Sequence, residues 1–273
     1  YHKTNQSLEI GKTVQGTIDW EERFSKMQQH SGEHIVSGIV HAVYGYDNVG
    51  FHMGKDAITM DFNGSISKEE LKVIERKANE AVVKSLDIKV LYPAKEELDS
   101  IAYRSKIEIE GQVRIVEIPG YDVCACCAPH VKKTGEIGLI KLLNVQNYKG
   151  GVRISMLCGF RALQDYEQKA ESVKKISVLL SAPEEEVFSE VTRLKQEISS
   201  GKAKVSQLQQ KLLVYKVEQI PQSQEVVVWF EEELEGNAPR ELTNLIIENG
   251  ASIGAVFAGD EKDGYRYVIG SKS

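Results

Sequence analysis

The sequence predicts an α+β chain: a helix-and-antiparallel-sheet domain, a long coiled-coil-like helical segment and a small α/β C-terminal domain. Three observations carry that expectation. Two amphipathic helical runs are followed by short strand-like segments that segregate from the helices rather than alternating with them. An apolar heptad seam then persists for about four repeats. The tail returns to short β-rich segments around one helix. With 273 residues, 41% of them hydrophobic and 27% charged, the chain is long enough to form more than one core.

Residues 1–18 alternate weakly at Leu8, Ile10, Val14 and Ile18 and read as the remnant of a truncated N-terminal β domain. Asp19, with Glu22 three residues on, has the capping-box spacing for a helix. Phe24, Met27, Ile35, Ile39 and Ala42 keep helical spacing to Tyr44, and Gly45 ends the run. Strands are expected at Asn48–Met53 and Ala57–Phe62, joined through Gly54-Lys55-Asp56. Ser67 and Glu70 open a second helix reaching Ser85, carrying Leu71, Ile74, Ala78, Ala81 and Val82 on one face. Further strands are expected at Ile88–Tyr92, Val113–Ile118, Tyr121–Cys126, Ile137–Val145 and Val152–Leu157.

After Arg161 the pattern changes. Ser181 and Glu184 are spaced as a capping box around Pro183. Val187, Val191, Leu194, Ile198, Gly201, Val205, Leu208, Leu212 and Tyr215 then alternate spacings of four and three. A helix of about 33 residues there is about 50 Å long and cannot bury this seam alone. It pairs either with the preceding helix or with a second copy, making a homodimer. Ser199-Ser200-Gly201 is its weakest stretch. The tail predicts a strand at Val226–Phe230, a helix at Pro239–Glu248, and a hairpin of Ser252–Ala258 with Tyr265–Ile269.

No apolar run reaches the length of about 18 residues that spans a membrane. Four cysteines are too few for a disulfide scaffold, and Cys124, Cys126 and Cys127 crowd too closely to pair with one another. That usage fits a reducing, cytoplasmic compartment and thiolate or metal chemistry. The chain opens at Tyr1 without Met and stops at Ser273 just after a strand, so both ends read as boundaries within a longer protein. Net charge is −6, but Val131–Arg161 holds Lys132, Lys133, Lys141, Lys149, Arg153 and Arg161 against Glu136 alone. Such a patch suits phosphates; a solvated surface is the plainer reading.

His30-Ser31-Gly32-Glu33-His34 places two imidazoles at i and i+4, on one helix face and one turn apart. Cys126 and His130 form a Cys-x-x-x-His pair at a strand-to-turn corner marked by Pro129. Each half alone is ordinary, but together they read as one Zn²⁺ site of three imidazoles and a thiolate. Cys124 shares a strand face with Cys126 and is the rival ligand, whereas His41 lacks a partner at suitable spacing and His52, within an expected strand, reads as a pocket-lining residue. The same segment also satisfies H-x-x-E-H, a zinc-protease signature that makes Glu33 a general base. It would need Glu75 or Glu80 as a further ligand and leaves Cys126 and His130 unexplained.

At these residues the chain resembles the editing domain shared by alanyl-tRNA synthetase and the AlaX alanyl-tRNA editing proteins, long form. Their H-x-x-x-H and C-x-x-x-H pattern matches His30, His34, Cys126 and His130. The likeness continues through Val131, Thr134-Gly135-Glu136-Ile137-Gly138, Lys149-Gly150 and Arg153-Ile154. Phe51-His52-Met53-Gly54 and Met60-Asp61-Phe62 resemble the paired strands after the first helix. Synthetases usually read C-G-G-T-H where this chain has Cys126-Cys127-Ala128-Pro129-His130, which suits a freestanding editor.

The resemblance implies a zinc-dependent editing domain at 19–162, a helical linker at 163–218 and a C-terminal domain at 219–273. It implies ATP-independent deacylation of mischarged tRNA(Ala), of Ser-tRNA(Ala) first and Gly-tRNA(Ala) second. Selection against so small a chemical difference needs a second, hydrolytic site. Gln29, Glu33 and Thr134 are the expected catalytic or orienting groups, with Gln28, Ser31 and Glu136 beside them. Lys132, Lys133, Lys149 and Arg153 are expected on acceptor-stem phosphates near the mischarged 3′ end. A zinc protease and a non-catalytic, zinc-stabilised tRNA-binding module are the alternatives.

Overall fold

Asp19 accepts a hydrogen bond from the Glu22 amide at 3.0 Å and so starts helix α1 (Trp20–Tyr44), which Gly45 closes in a left-handed conformation. The computed structural model describes residues 7–105, 111–234 and 236–272, and the chain divides into two units, 1–172 and 173–273.

In the first unit, α1 leads into the hairpin of β1 (Asn48–Met53) and β2 (Ile58–Phe62), then α2 (Lys68–Lys84). Ser67 and Glu70 form the complete capping box of α2. Next come β3 (Lys89–Leu91), the single turn α3 (Lys95–Leu98), β4 (Ile115–Ile118) and β5 (Asp122–Ala125). A 3₁₀ turn at Thr134–Ile137 precedes β6 (Ile140–Tyr148) and β7 (Gly151–Cys158), and α4 (Gly159–Leu180) begins directly after β7.

Two antiparallel sheets result, ordered β1-β2-β7-β6 and β3-β4-β5. The apolar stripe of α2 meets β6 and the buried middle of α1, with Ile35, Val36, Ile74, Ala78, Ile140 and Ile154 almost fully excluded from solvent. Burying such side chains contributes roughly 1.5–3 kcal/mol each. Two glycines let α1 approach closely. A Cβ on Gly32 would strike the Cys158 sulfur, and one on Gly38 would strike the Tyr121 carbonyl at the entry to β5.

The expected strand from Ile137 begins later, because the Gly138 turn follows the 3₁₀ segment. Residues 7–19 contain no strand, and Leu8, Ile10, Val14 and Ile18 are exposed; the rest of the expected N-terminal remnant lies outside the described residues.

The second unit holds α5 (Val187–Glu218), β8 (Val226–Glu231), α6 (Ala238–Glu248), β9 (Ile253–Asp260) and β10 (Gly264–Ser271). β9 is central, parallel to β8 and antiparallel to β10. Leu213 and Val217 of α5 join Val227, Leu242, Ile246 and Val256 in the core. The α5 helix runs unbroken through Gly201, and Val191, Ile198, Val205, Leu208 and Leu212 of its seam are exposed. Ser181 does not cap it: that residue takes a left-handed conformation, and a 3₁₀ turn at Glu184–Glu186 intervenes. Among the described residues no helix is long and apolar enough to cross a membrane.

Candidate metal centre

The His30, His34, Cys126 and His130 side chains lie together, each offering a ligand atom within 4.8 Å of the others. Helical spacing sets the two α1 imidazoles edge to face, with ring centroids 5.0 Å apart. The chain beyond β5 brings Cys126 and His130 onto the same spot. The His130 ring lies 4.3 Å from that of His30 and 4.7 Å from that of His34.

The hydrogen bonds orient these donors. His34 Nδ1 is 2.8 Å from Asp122 Oδ2, and His30 Nδ1 is 3.4 Å from the Pro129 carbonyl. Acceptors at both Nδ1 atoms select the tautomer that leaves an Nε2 lone pair available. His30 Nε2 is 3.5 Å from Cys126 Sγ. His130 is buried, and neither of its ring nitrogens has a hydrogen-bond partner. A buried imidazole orphaned at both nitrogens, facing two more imidazoles and a thiol, is a donor set that could hold a cation.

Without a metal, the four side chains shift one another's protonation. Burial would raise the Cys126 thiol, but the surrounding His130, His30 and His34 rings pull its pKa down to about 3, so the sulfur is a thiolate. Burial, with the nearby His34 and His30 rings, lowers His130 to about 4 against the pull of Cys126, so its imidazole is neutral at neutral pH. Burial opposes charge on His34, yet Asp122 with Cys124, Cys126 and Glu33 raises it well above the usual imidazole range.

Of the expected catalytic groups only Glu33 reaches this centre. Its carboxylate is buried, accepts from Ser37 Oγ at 2.8 Å and Asn48 Nδ2 at 2.7 Å, and stands 3.9 Å from His34 Nε2. Gln29 does not reach it. Its amide donates to the Cys158 carbonyl and accepts from the Cys158 amide, clamping α1 to the end of β7. Thr134 is likewise structural, because its hydroxyl donates to the Ala81 carbonyl and accepts from the Leu86 amide. Gln28 donates to the Glu136 carbonyl, and Ser31 accepts from the Val131 amide. Cys124 does not join the four-ligand cluster; it lies with His34 and Asp122 on the far side of that imidazole. The protease reading loses its extra ligand. Glu75 pairs with Lys141 and the Leu142 amide, Glu80 lies near Arg76, and neither is in a metal-binding group among the described residues.

Three of the six cations of the basic patch, Lys133, Lys141 and Arg153, pair with carboxylates distant in sequence. Arg153 makes two hydrogen bonds to Asp61, at 2.6 and 2.8 Å, and stacks on Tyr148. Lys133 pairs with Asp87, and Arg161 donates to the Gly54 and Lys55 carbonyls. Lys132 and Lys149 have no carboxylate partner among the described residues, and Lys149 sits over the Tyr148 ring.

A helix laid on antiparallel sheet, with three imidazoles and one thiol converging, defines an α+β domain whose His/Cys cluster could hold a metal ion. The family described as threonyl and alanyl tRNA synthetase second additional domain matches residues 113–155, which include Cys126 and His130. The chain is 29% identical over 273 residues to the alanine–tRNA ligase of Thermofilum pendens, spanning 95% of this chain and 30% of the ligase. It is 31% identical over 156 residues to the alanyl-tRNA editing protein AlaX-L of Pyrococcus horikoshii, spanning 56% and 39% of the two chains. Against the alanyl-tRNA editing protein Aarsd1 of Danio rerio it is 26% identical over 204 residues, spanning 72% and 49%. The chain thus covers less than half the length of each of these relatives. These matches make the chain a relative of the alanyl-tRNA synthetases and of the AlaX-type editing proteins.

Proposed function

We propose that this chain is a trans-editing hydrolase that cleaves the ester of mischarged tRNA(Ala), Ser-tRNA(Ala) first and Gly-tRNA(Ala) second, at a Zn²⁺ held by His30, His34, Cys126 and His130. The observation that carries this reading is the buried His130 ring, orphaned at both nitrogens beside a thiolate, in a chain related to alanyl-tRNA editing proteins. The 3.5 Å separation of His30 Nε2 and Cys126 Sγ also fits. Nitrogen and sulfur about 2.0 and 2.3 Å from a tetrahedral zinc stand about 3.5 Å apart.

When bound, zinc supplies Lewis acidity and a fixed positive charge at the 3′ end of the tRNA. The chain's residues do the rest. Asp122 and the Pro129 carbonyl hold the His34 and His30 rings in register. Ser37 and Asn48 each direct a hydrogen bond to Glu33 Oε1, and Oε2 stands 3.9 Å from His34 Nε2. That carboxylate is placed to take a proton from an attacking water and return it to the leaving ribose oxygen. It is equally placed to receive the α-ammonium of the esterified amino acid. Lys132 and Lys149 are the cations available to acceptor-stem phosphates, and the uncovered α5 seam is proposed to pair two copies into a homodimer.

The test is deacylation of Ser-tRNA(Ala) beside Ala-tRNA(Ala) and a panel of peptides. Hydrolysis of the first, sparing of the second and no peptide cleavage are expected. Wild-type deacylation by both His34→Ala and Cys126→Ala would refute the zinc mechanism. Tight tRNA binding without hydrolysis would favour the non-catalytic module.

A further inference from the structure

Two residues that no motif includes stand behind His34. Asp122 opens β5 with its side chain almost wholly buried, and both of its oxygens are engaged. Oδ2 is 2.8 Å from His34 Nδ1, and Oδ1 accepts from Arg104 Nε at 2.8 Å. Arg104 belongs to no helix or strand, yet its backbone is fixed. Its amide donates to the Val123 carbonyl at 2.8 Å, and its carbonyl accepts from the Ala125 amide at 2.9 Å. The segment around Arg104 thus pairs alongside β5, in register with Cys124, and carries the guanidinium to Asp122.

We propose that Arg104 and Asp122 are positioning residues forming a relay that fixes the tautomer and ring orientation of His34, and so sets how tightly the centre binds its metal. The inference rests on the metal reading above. Asp122, held from behind by Arg104, cannot rotate away from Nδ1–H. The Nε2 lone pair of His34 therefore stays aimed at the point shared with Cys126 and His130. A carboxylate behind a metal-bound imidazole also makes it the more basic ligand, and losing such a partner typically weakens metal binding by about 10–100-fold. His34, Asp122 and Cys124 could alternatively hold an ion of their own. The engagement of both Asp122 oxygens argues against that site, and the experiment separates the two.

The experiment is chelator competition for Zn²⁺, together with the visible spectrum of the Co²⁺-loaded protein, on wild type, Asp122→Asn, Arg104→Gln and Arg104→Lys. The relay predicts zinc affinity about 10–100-fold lower in Asp122→Asn, with shifted cobalt bands. Arg104→Gln should move both readouts the same way by about tenfold, and Arg104→Lys should restore part of the loss. A purely structural role would lower the melting temperature while leaving affinity and cobalt bands unchanged, and that result overturns the relay. Affinity abolished by Asp122→Asn but retained by Cys126→Ala would move the ion to the Cys124 side and overturn it too. If the wild type takes up neither zinc nor cobalt, the metal reading itself falls, and the relay with it.

Discussion

Replacing His130 with leucine should have opposite effects on the metal-free and metal-loaded protein. Without metal, both ring nitrogens of His130 are buried and unpaired. Each such group costs about 1–3 kcal/mol in the folded state. Leucine has similar bulk and removes both, while imperfect fit costs up to about 1.5 kcal/mol. The metal-free variant should therefore gain about 1 kcal/mol or more. That corresponds to about 2–4 °C in melting temperature for a unit of this size. With zinc at about a thousand times its dissociation constant, the wild type gains about 4 kcal/mol by mass action, and the variant, short one ligand, loses most of that gain. Calorimetry in EDTA and in zinc should show the two proteins exchanging rank. A variant less stable than wild type in EDTA and equally raised by zinc would refute the reasoning.

In the metal-free protein the His130, His30 and His34 rings hold the Cys126 thiol down to about 3. Its alkylation rate, followed by peptide mass, should therefore be flat from pH 5 to 8, where an ordinary thiol with pKa of about 8.5 slows tenfold per unit; a tenfold rise per unit would contradict it, and zinc should protect the sulfur. Gly38→Ala sets a methyl against the Tyr121 carbonyl, so it should cost about 1–3 kcal/mol and weaken metal uptake by prising His34 from Asp122; unchanged melting would show that the contact is not tight. Arg153→Ala should lower stability by stranding Asp61, whereas Lys149→Ala should leave stability alone and reduce the salt dependence of tRNA binding by about one ion. The reverse pattern would make Arg153 the phosphate contact. Sedimentation at two concentrations should show a dimer that Leu208→Glu in the α5 seam dissociates; a monomer at both would remove the homodimer.

The clustering of His30, His34, Cys126 and His130 was legible because each pair is local. A four-residue helical step and a strand-to-turn corner are written in consecutive letters. What lies behind them was not. Asp122 reads as an ordinary strand opener, although one signal was present: Asp122, Cys124 and Cys126 alternate onto one face, the same period that marked Cys124 as a rival. Arg104 carries no signal, because only the pairing of its backbone with β5 brings it to Asp122. Gln29 and Thr134 look catalytic by adjacency to the motifs, but their roles depend on where β7 and the end of α2 run. The basic patch misled for the same reason, since Asp61 and Glu75 lie on elements far away in sequence. The fold shows the same division. Helix caps at Asp19, Gly45 and Ser67 are short-range and were read correctly, whereas the spacing at Ser181 marked a cap that the left-handed turn precludes.

The central claim is one zinc on three imidazoles and one thiolate. X-ray absorption at the zinc edge, on protein purified without added metal and quantified for metal content, tests it most directly. The expected result is about one zinc per chain with one sulfur near 2.3 Å and three nitrogens near 2.0 Å, the sulfur shell vanishing in Cys126→Ala. A substoichiometric metal, or a sulfur shell that survives Cys126→Ala, would contradict it.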